Sequence, residues 1–157
     1  MIRRATIVAV GKLRGWPAAG CADYAKRLRR HFPVEVVEVV EEDMNRRSPP
    51  EVLAAEEERI SKRIPAGSHL VALDRERGKR VASEDLARRL GSLGVSGRSD
   101  LAVVIGGPLG LSRDLIDRAD EVWSFGSITL PHALARVVLL EQLFRAVKIE
   151  RGEKYHW

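Results

Sequence analysis

Short apolar runs alternate with stretches of helical spacing along the whole chain. Ala5 to Val10 (ATIVAV) is a β-rich run stopped by Gly11, which predicts a first strand. Residues 18–31 read as a helix closed by Pro33, and Val34 to Val40 (VEVVEVV) as a second strand. Pro49 and Pro50 open a helix running to Arg63, since a missing N–H costs nothing in a first turn. His69 to Asp74 (HLVALD) predicts a third strand, and RERGK turns the chain. Ser83 reads as the N-cap of a helix through Leu93, with Glu84 and Asp85 at its positive end. After a Gly/Ser-rich loop, Leu101 to Ile105 (LAVVI) is apolar on both faces, as in a buried parallel sheet. Ser112 caps a short helix to Ala119, Glu121 to Phe125 forms a fifth strand, and a long helix runs from Pro131 to Glu150. Strands alternating with helices imply an α/β domain, a parallel-rich sheet with helices on both faces.

The long helix breaks the usual amphipathic pattern. Glu141, Gln142, Arg145 and Lys148 form one polar stripe, while Leu134, Val137, Val138, Leu139, Leu140, Leu143, Phe144 and Val147 wrap most of the rest. A helix apolar this far round is buried on several sides, and a chain of 157 residues has little room for that, so a subunit interface is the natural second partner. Arg136, opposite the stripe, must meet a carboxylate, a carbonyl or an anionic ligand.

Composition narrows the setting. The length fits one domain, 1–157, without an internal repeat or linker. A single cysteine, Cys21, cannot form an internal disulfide and fits a reducing compartment. The N-terminal apolar run is too short for a signal peptide, and nothing approaches the roughly 20 apolar residues of a membrane span, so a cytoplasmic protein without membrane contact is expected. A net charge of +5 makes a polyanionic partner plausible.

Candidate chemistry sits where ligands bind in open α/β sheets, beyond the carboxyl ends of the strands. Three loops occupy that edge. One follows Leu73-Asp74, one is Gly106-Gly107-Pro108-Leu109-Gly110, and one runs from Ser124 to Pro131. The glycine loop fits neither a P-loop, lacking Gly-Lys-Ser/Thr, nor G-x-G-x-x-G, and disfavours a nucleotide hydrolase. In the third loop, backbone groups without secondary-structure partners can meet an adenine edge or a ribose. His132 sits in the first turn of the long helix, and Tyr155-His156-Trp157 puts three ring side chains at a terminus, suited to packing or base stacking. There is no His/Cys cluster with metal-ligand spacing, so no metal is expected.

The loop IGGPLGLS, the segment SITLPHALARVVLLEQLFRAVKI and the tail RGEKYH, with the opening IVAVGKLR and the segment YAKRL, resemble the RlmH family of large-subunit (23S) rRNA pseudouridine N3-methyltransferases. That family lies within the SPOUT class. The resemblance implies a SPOUT-type α/β knot, with a deep C-terminal trefoil knot, and a homodimer. It implies S-adenosyl-L-methionine as methyl donor, S-adenosylhomocysteine as product, and methylation of N3 of a pseudouridine in a stem-loop of 23S rRNA on the ribosome. Carried over by position, Leu73, Gly106, Phe125, Gly126, Ser127, Ile128, Thr129 and Leu130 would bind the donor. His132, Arg136, Tyr155 and His156 would face substrate, His156 handling the N3 proton. Trp157 stands where the family commonly has Arg or Lys. The competing expectations are a SPOUT enzyme with a tRNA target and a non-catalytic ribosome-binding factor.

Overall fold

A computed structural model describes residues 1–155; His156 and Trp157 lie outside the described residues. The chain folds as β1 (Arg4–Val10), α1 (Gly15–Leu28), β2 (Val34–Val39), α2 (Pro49–Ser61), β3 (His69–Leu73), β4 (Lys79–Arg80), α3 (Ser83–Val95), β5 (Asp100–Ile105), α4 (Arg113–Arg118), β6 (Glu121–Ser124) and α5 (His132–Glu150). The strands form one sheet in the order β2-β1-β5-β3-β6-β4. Every pairing is parallel.

Alternation within the strands sorts the helices onto two faces. Ala5, Ile7, Ala9, Val71, Leu101, Val103 and Ile105 point into the core shared with α1, α3 and α5. Val8, Val10, Leu70, Ala72, Ala102 and Val104 point the other way, toward α2 and α4. The central strands are therefore apolar on both faces, as a parallel sheet covered by helices requires. Ser48 caps α2 by accepting from the Glu51 amide at 3.4 Å while its hydroxyl donates to the Glu51 carboxylate at 2.9 Å. Ser112 caps α4 as expected, accepting from the Leu115 amide at 3.2 Å.

The structure corrects the sequence reading at three places. The turn RERGK leads into a sixth strand, β4, whose two residues pair with Trp123 and Ser124. The N-cap of α3 is Ala82 and not Ser83, whose hydroxyl instead donates to Gln142 on α5. Helix α3 also continues through Gly94, where the expected loop would begin. A Cβ at Gly94 would collide with the Met1 backbone, so glycine allows the amino terminus to cross the helix.

Candidate active site at the carboxyl edge

All strands run the same way, so their carboxyl ends share one edge. There the ends of β3, β5 and β6 surround a cavity of about 690 Å³, a size suited to a nucleoside-type ligand. Leu73 and Asp74 close one side and Ile105 forms part of the floor. The glycine loop forms a second wall. The Gly110 amide donates to the Gly107 carbonyl at 2.9 Å, with Gly110 at φ +77, a conformation that favours glycine. A Cβ on Gly106 would fall inside contact distance of the Gly110 backbone, so the turn closes only because residue 106 has no side chain.

The third wall is the loop after β6. Phe125, Gly126, Ile128, Thr129 and Leu130 line the cavity. Ser124 is buried and organises the start of the loop: its hydroxyl donates to the Arg75 carbonyl at 2.9 Å and accepts from the Gly126 amide at 3.2 Å. The backbone groups of residues 128–130 make no backbone hydrogen bond among the described residues, which leaves them available to a ligand. Ser127 departs from the expected placement. It does not line the cavity; Arg80 donates to its hydroxyl at 2.6 Å from outside and Arg75, itself a lining residue, to its carbonyl at 3.1 Å, and the two pin the loop.

The expected substrate-facing residues divide. His132 lines the cavity, and its Nδ1 is buried with no hydrogen-bond partner among the described residues. Arg136, one turn further along α5, is only 1% exposed and turns inward. It donates to Glu38 Oε2 at 2.6 Å, to the Gly11 carbonyl at 3.0 Å and to the Val10 carbonyl at 3.4 Å. Glu38 also accepts from the Leu13 amide at 2.8 Å. Burial pushes the Glu38 carboxyl upward, but the Leu13 amide and the Arg136 guanidinium outweigh it and hold the group below its ordinary value. Arg136 thus locks the segment after β1 against α5, beneath His132.

Tyr155 sits away from the cavity. Its ring meets Phe144 edge-on at a centroid distance of 4.9 Å, with the Arg145 guanidinium 5.0 Å above it. Its hydroxyl donates to Glu141 at 3.3 Å and lies 3.4 Å from the Tyr24 hydroxyl. Burial first, then the Tyr24 hydroxyl and the Glu141 charge, push the phenol well above its ordinary range, so it stays protonated. Glu141 lies nine positions beyond His132 on α5, about 14 Å along the axis. His156, the expected proton handler, lies outside the described residues.

Comparison with known proteins bears on this edge. A family model described as "Predicted SPOUT methyltransferase" matches residues 3–156. The chain belongs to the SPOUT methyltransferase family. It is 68% identical over 158 residues to the ribosomal RNA large subunit methyltransferase H of Rubrobacter xylanophilus, covering 100% of both chains. It is 46% identical to the protein of that name from Moorella thermoacetica, covering 96% of this chain and 97% of the relative. A probable methylase family protein from Haemophilus influenzae Rd KW20 shares the fold at a TM-score of 0.59 and 14% identity, over 98% of this chain and 70% of that one. A probable methyltransferase from Bordetella pertussis Tohama I does so at 0.56 and 19%, over 92% and 96%.

This SPOUT methyltransferase is therefore an enzyme that transfers methyl groups, with an α/β fold whose parallel sheet is flanked by helices. Arg75, Glu76 and Arg77 line the cavity beside Asp74, although no motif in the sequence singles them out. The signal available is their position directly after β3, at the carboxyl edge. No helix among the described residues is long and apolar enough to cross a membrane, and no group of three or more potential metal ligands occurs among them.

Proposed function

We propose that the protein methylates N3 of a pseudouridine in a stem-loop of 23S rRNA on the assembled ribosome, using S-adenosyl-L-methionine, and that it works as a homodimer in the cytoplasm. The observation that carries this reading is the cavity at the ends of β3, β5 and β6, walled by the glycine turn and the 125–130 loop, in a chain that matches rRNA large subunit methyltransferases H from end to end. We read the whole chain as one domain, with its C-terminal third, which carries these two loops, threaded through an earlier loop as a trefoil knot.

The donor would rest on Leu73, Gly106 and residues 125, 126 and 128–130, and when bound supplies an electrophilic methyl group on a sulfonium. Backbone amides and carbonyls of the 128–130 segment would bind the nucleoside part, and Gly106 permits close backbone approach. Ser127, gripped by Arg75 and Arg80, would hold the loop in place. What remains is to align N3 with the methyl carbon and to remove its proton. His156 takes the proton, since an imidazole titrates near neutrality. Tyr155, kept neutral, would turn its hydroxyl from Glu141 to a base carbonyl when substrate is bound. The separation of Tyr155 from the cavity within one chain favours a composite site, in which one protomer's tail serves its partner's donor pocket. The half-buried Leu134, Val137 and Val138 on α5 offer apolar surface for that pairing.

The test incubates the protein with methyl-labelled donor and ribosomes lacking the modification, followed by mass spectrometry of the RNA. Label on N3 of one 23S pseudouridine is the expected result. Label in tRNA would move the enzyme to another substrate, and no label in any RNA would leave a ribosome-binding factor. His156→Ala is expected to lower turnover at least a hundredfold with donor affinity unchanged by calorimetry. Mixing that variant with a donor-pocket variant should restore part of the activity, because one composite site of the mixed dimer is intact. Absence of any rescue would reject the shared site.

A further inference from the structure

A second cavity, of about 650 Å³, lies on the other side of β6 from the donor pocket, between the β4 edge and α3. Its floor is apolar, made by Leu86, Val122 and Trp123. Its rim is cationic, with Lys79 and Arg80 on one side and Arg88 and Arg89 on the other. Two acids partly offset this charge: Asp85 pairs with Arg88 and Glu121 with Arg89. Lys79 is exposed and has no acidic partner among the described residues, and the same holds for Arg77 at the neighbouring rim of the donor pocket. Arg77, Lys79 and Arg80 thus place positive charge on the neighbouring rims of both cavities.

The two cavities are coupled by construction. Lys79 pairs with Trp123, which floors the groove, while Arg80 pairs with Ser124, which opens the donor loop. Arg80 also donates to Ser127 on that loop. A chain lying in the groove is thus within one or two residues of the methyl-donor wall.

We infer that this groove is a docking surface for the RNA strand flanking the target nucleotide. The inference rests on the RNA-methylating reading above. Guanidinium and ammonium groups on the rim meet phosphates, and the half-buried Val81 and Val122 offer apolar contact to a ribose, with Leu86 and Trp123 buried beneath them. The contact selects the strand by its backbone rather than its sequence.

The experiment compares the unaltered protein with a Lys79→Glu/Arg88→Glu double variant and with Lys79→Ala alone. Neither position lines the donor pocket. Ribosome binding is read by co-sedimentation, and methyl transfer separately. The double variant should bind ribosomes at least tenfold more weakly near 0.1 M salt, and its log-affinity against log-salt slope should fall by about 1.5. Donor affinity by calorimetry should stay unchanged, the melting temperature should fall only slightly because Arg88→Glu replaces the exposed pair with Asp85 by like charges, and Lys79→Ala should show a smaller change in ribosome binding in the same direction. Ribosome affinity and slope equal to the unaltered protein in both variants would overturn the groove. Charge-dependent binding in a protein that transfers no methyl group would uphold the groove and overturn the enzymatic reading instead.

Discussion

Replacing Gly106 by valine is expected to weaken methyl-donor binding at least a hundredfold, about 2.8 kcal/mol, and to lower the melting temperature. The cause is not simply that a side chain fills the cavity. Any Cβ at this position collides with the backbone of Gly110, four residues on, where the turn is fastened by the Gly110 amide and a positive φ. The turn must open or shift, and the wall it forms moves with it. Overpacking of this kind typically costs about 1–3 kcal/mol, and here the strain falls on the backbone groups that shape the pocket. Gly106→Ala separates the two explanations. If the collision is decisive, one methyl group is enough to remove most of the donor affinity; if bulk in the cavity were decisive, alanine would be nearly harmless. Isothermal calorimetry with S-adenosylmethionine, paired with thermal melting, reads both. Normal affinity in the alanine variant would show that the turn is looser than its geometry implies.

Glu38→Ala should destabilise the fold by about 3 kcal/mol, the lower end of the range for breaking a buried ion pair, because a third of the Glu38 side chain meets solvent. Arg136 would keep its two backbone carbonyls but lose its counter-charge, with its Nε already lacking a partner. The Leu13 amide would be released at the same time. The effect depends on pH with a definite sign. The folded-state pKa of Glu38 lies below its unfolded value of about 4.3. Its stabilisation is therefore complete above that value and disappears as pH falls through the folded pKa. Urea melts of the unaltered protein and of Glu38→Gln should differ at pH 7 and converge on going from about pH 4.5 downward. A difference that stays constant down to pH 3 would show that shape, and not charge, makes Glu38 useful.

The elements that carry the site are mostly legible because their signals are local. Apolar runs mark β1, β3 and β5, and a serine with helix-forming residues behind it marks the start of α4. Strand β4 is not legible, since Lys79 and Arg80 have no strand character of their own and are a strand only because Trp123 and Ser124 lie opposite. Ser83 shows how a residue type suited to one role can fill another, for its hydroxyl serves Gln142, 59 residues away, instead of its own helix. For Arg136 the need for a buried partner is clear from the apolar helix face, but nothing local points to Glu38, 98 residues earlier. Of the expected donor positions only Ser127 does not line the cavity; its hydroxyl accepts from Arg80, which lies outside the cavity, and its carbonyl from Arg75. Tyr155 is recognisable as a residue with a purpose, but its distance from the cavity is set by the path of the tail over α5, which no spacing in the sequence encodes.

The strand order also dictates when the molecule can be built. Strand β5 stands between β1 and β3, which therefore do not pair with one another. Until residues 100–105 have been synthesised, β1 and β2 on one side and β3 on the other lack the strand that joins them. Such distant pairings fold slowly, so translation must supply about two thirds of the chain before the centre of the sheet can close. A ribosome stalled ahead of that point would present open strand edges, the state in which a chaperone would find this protein.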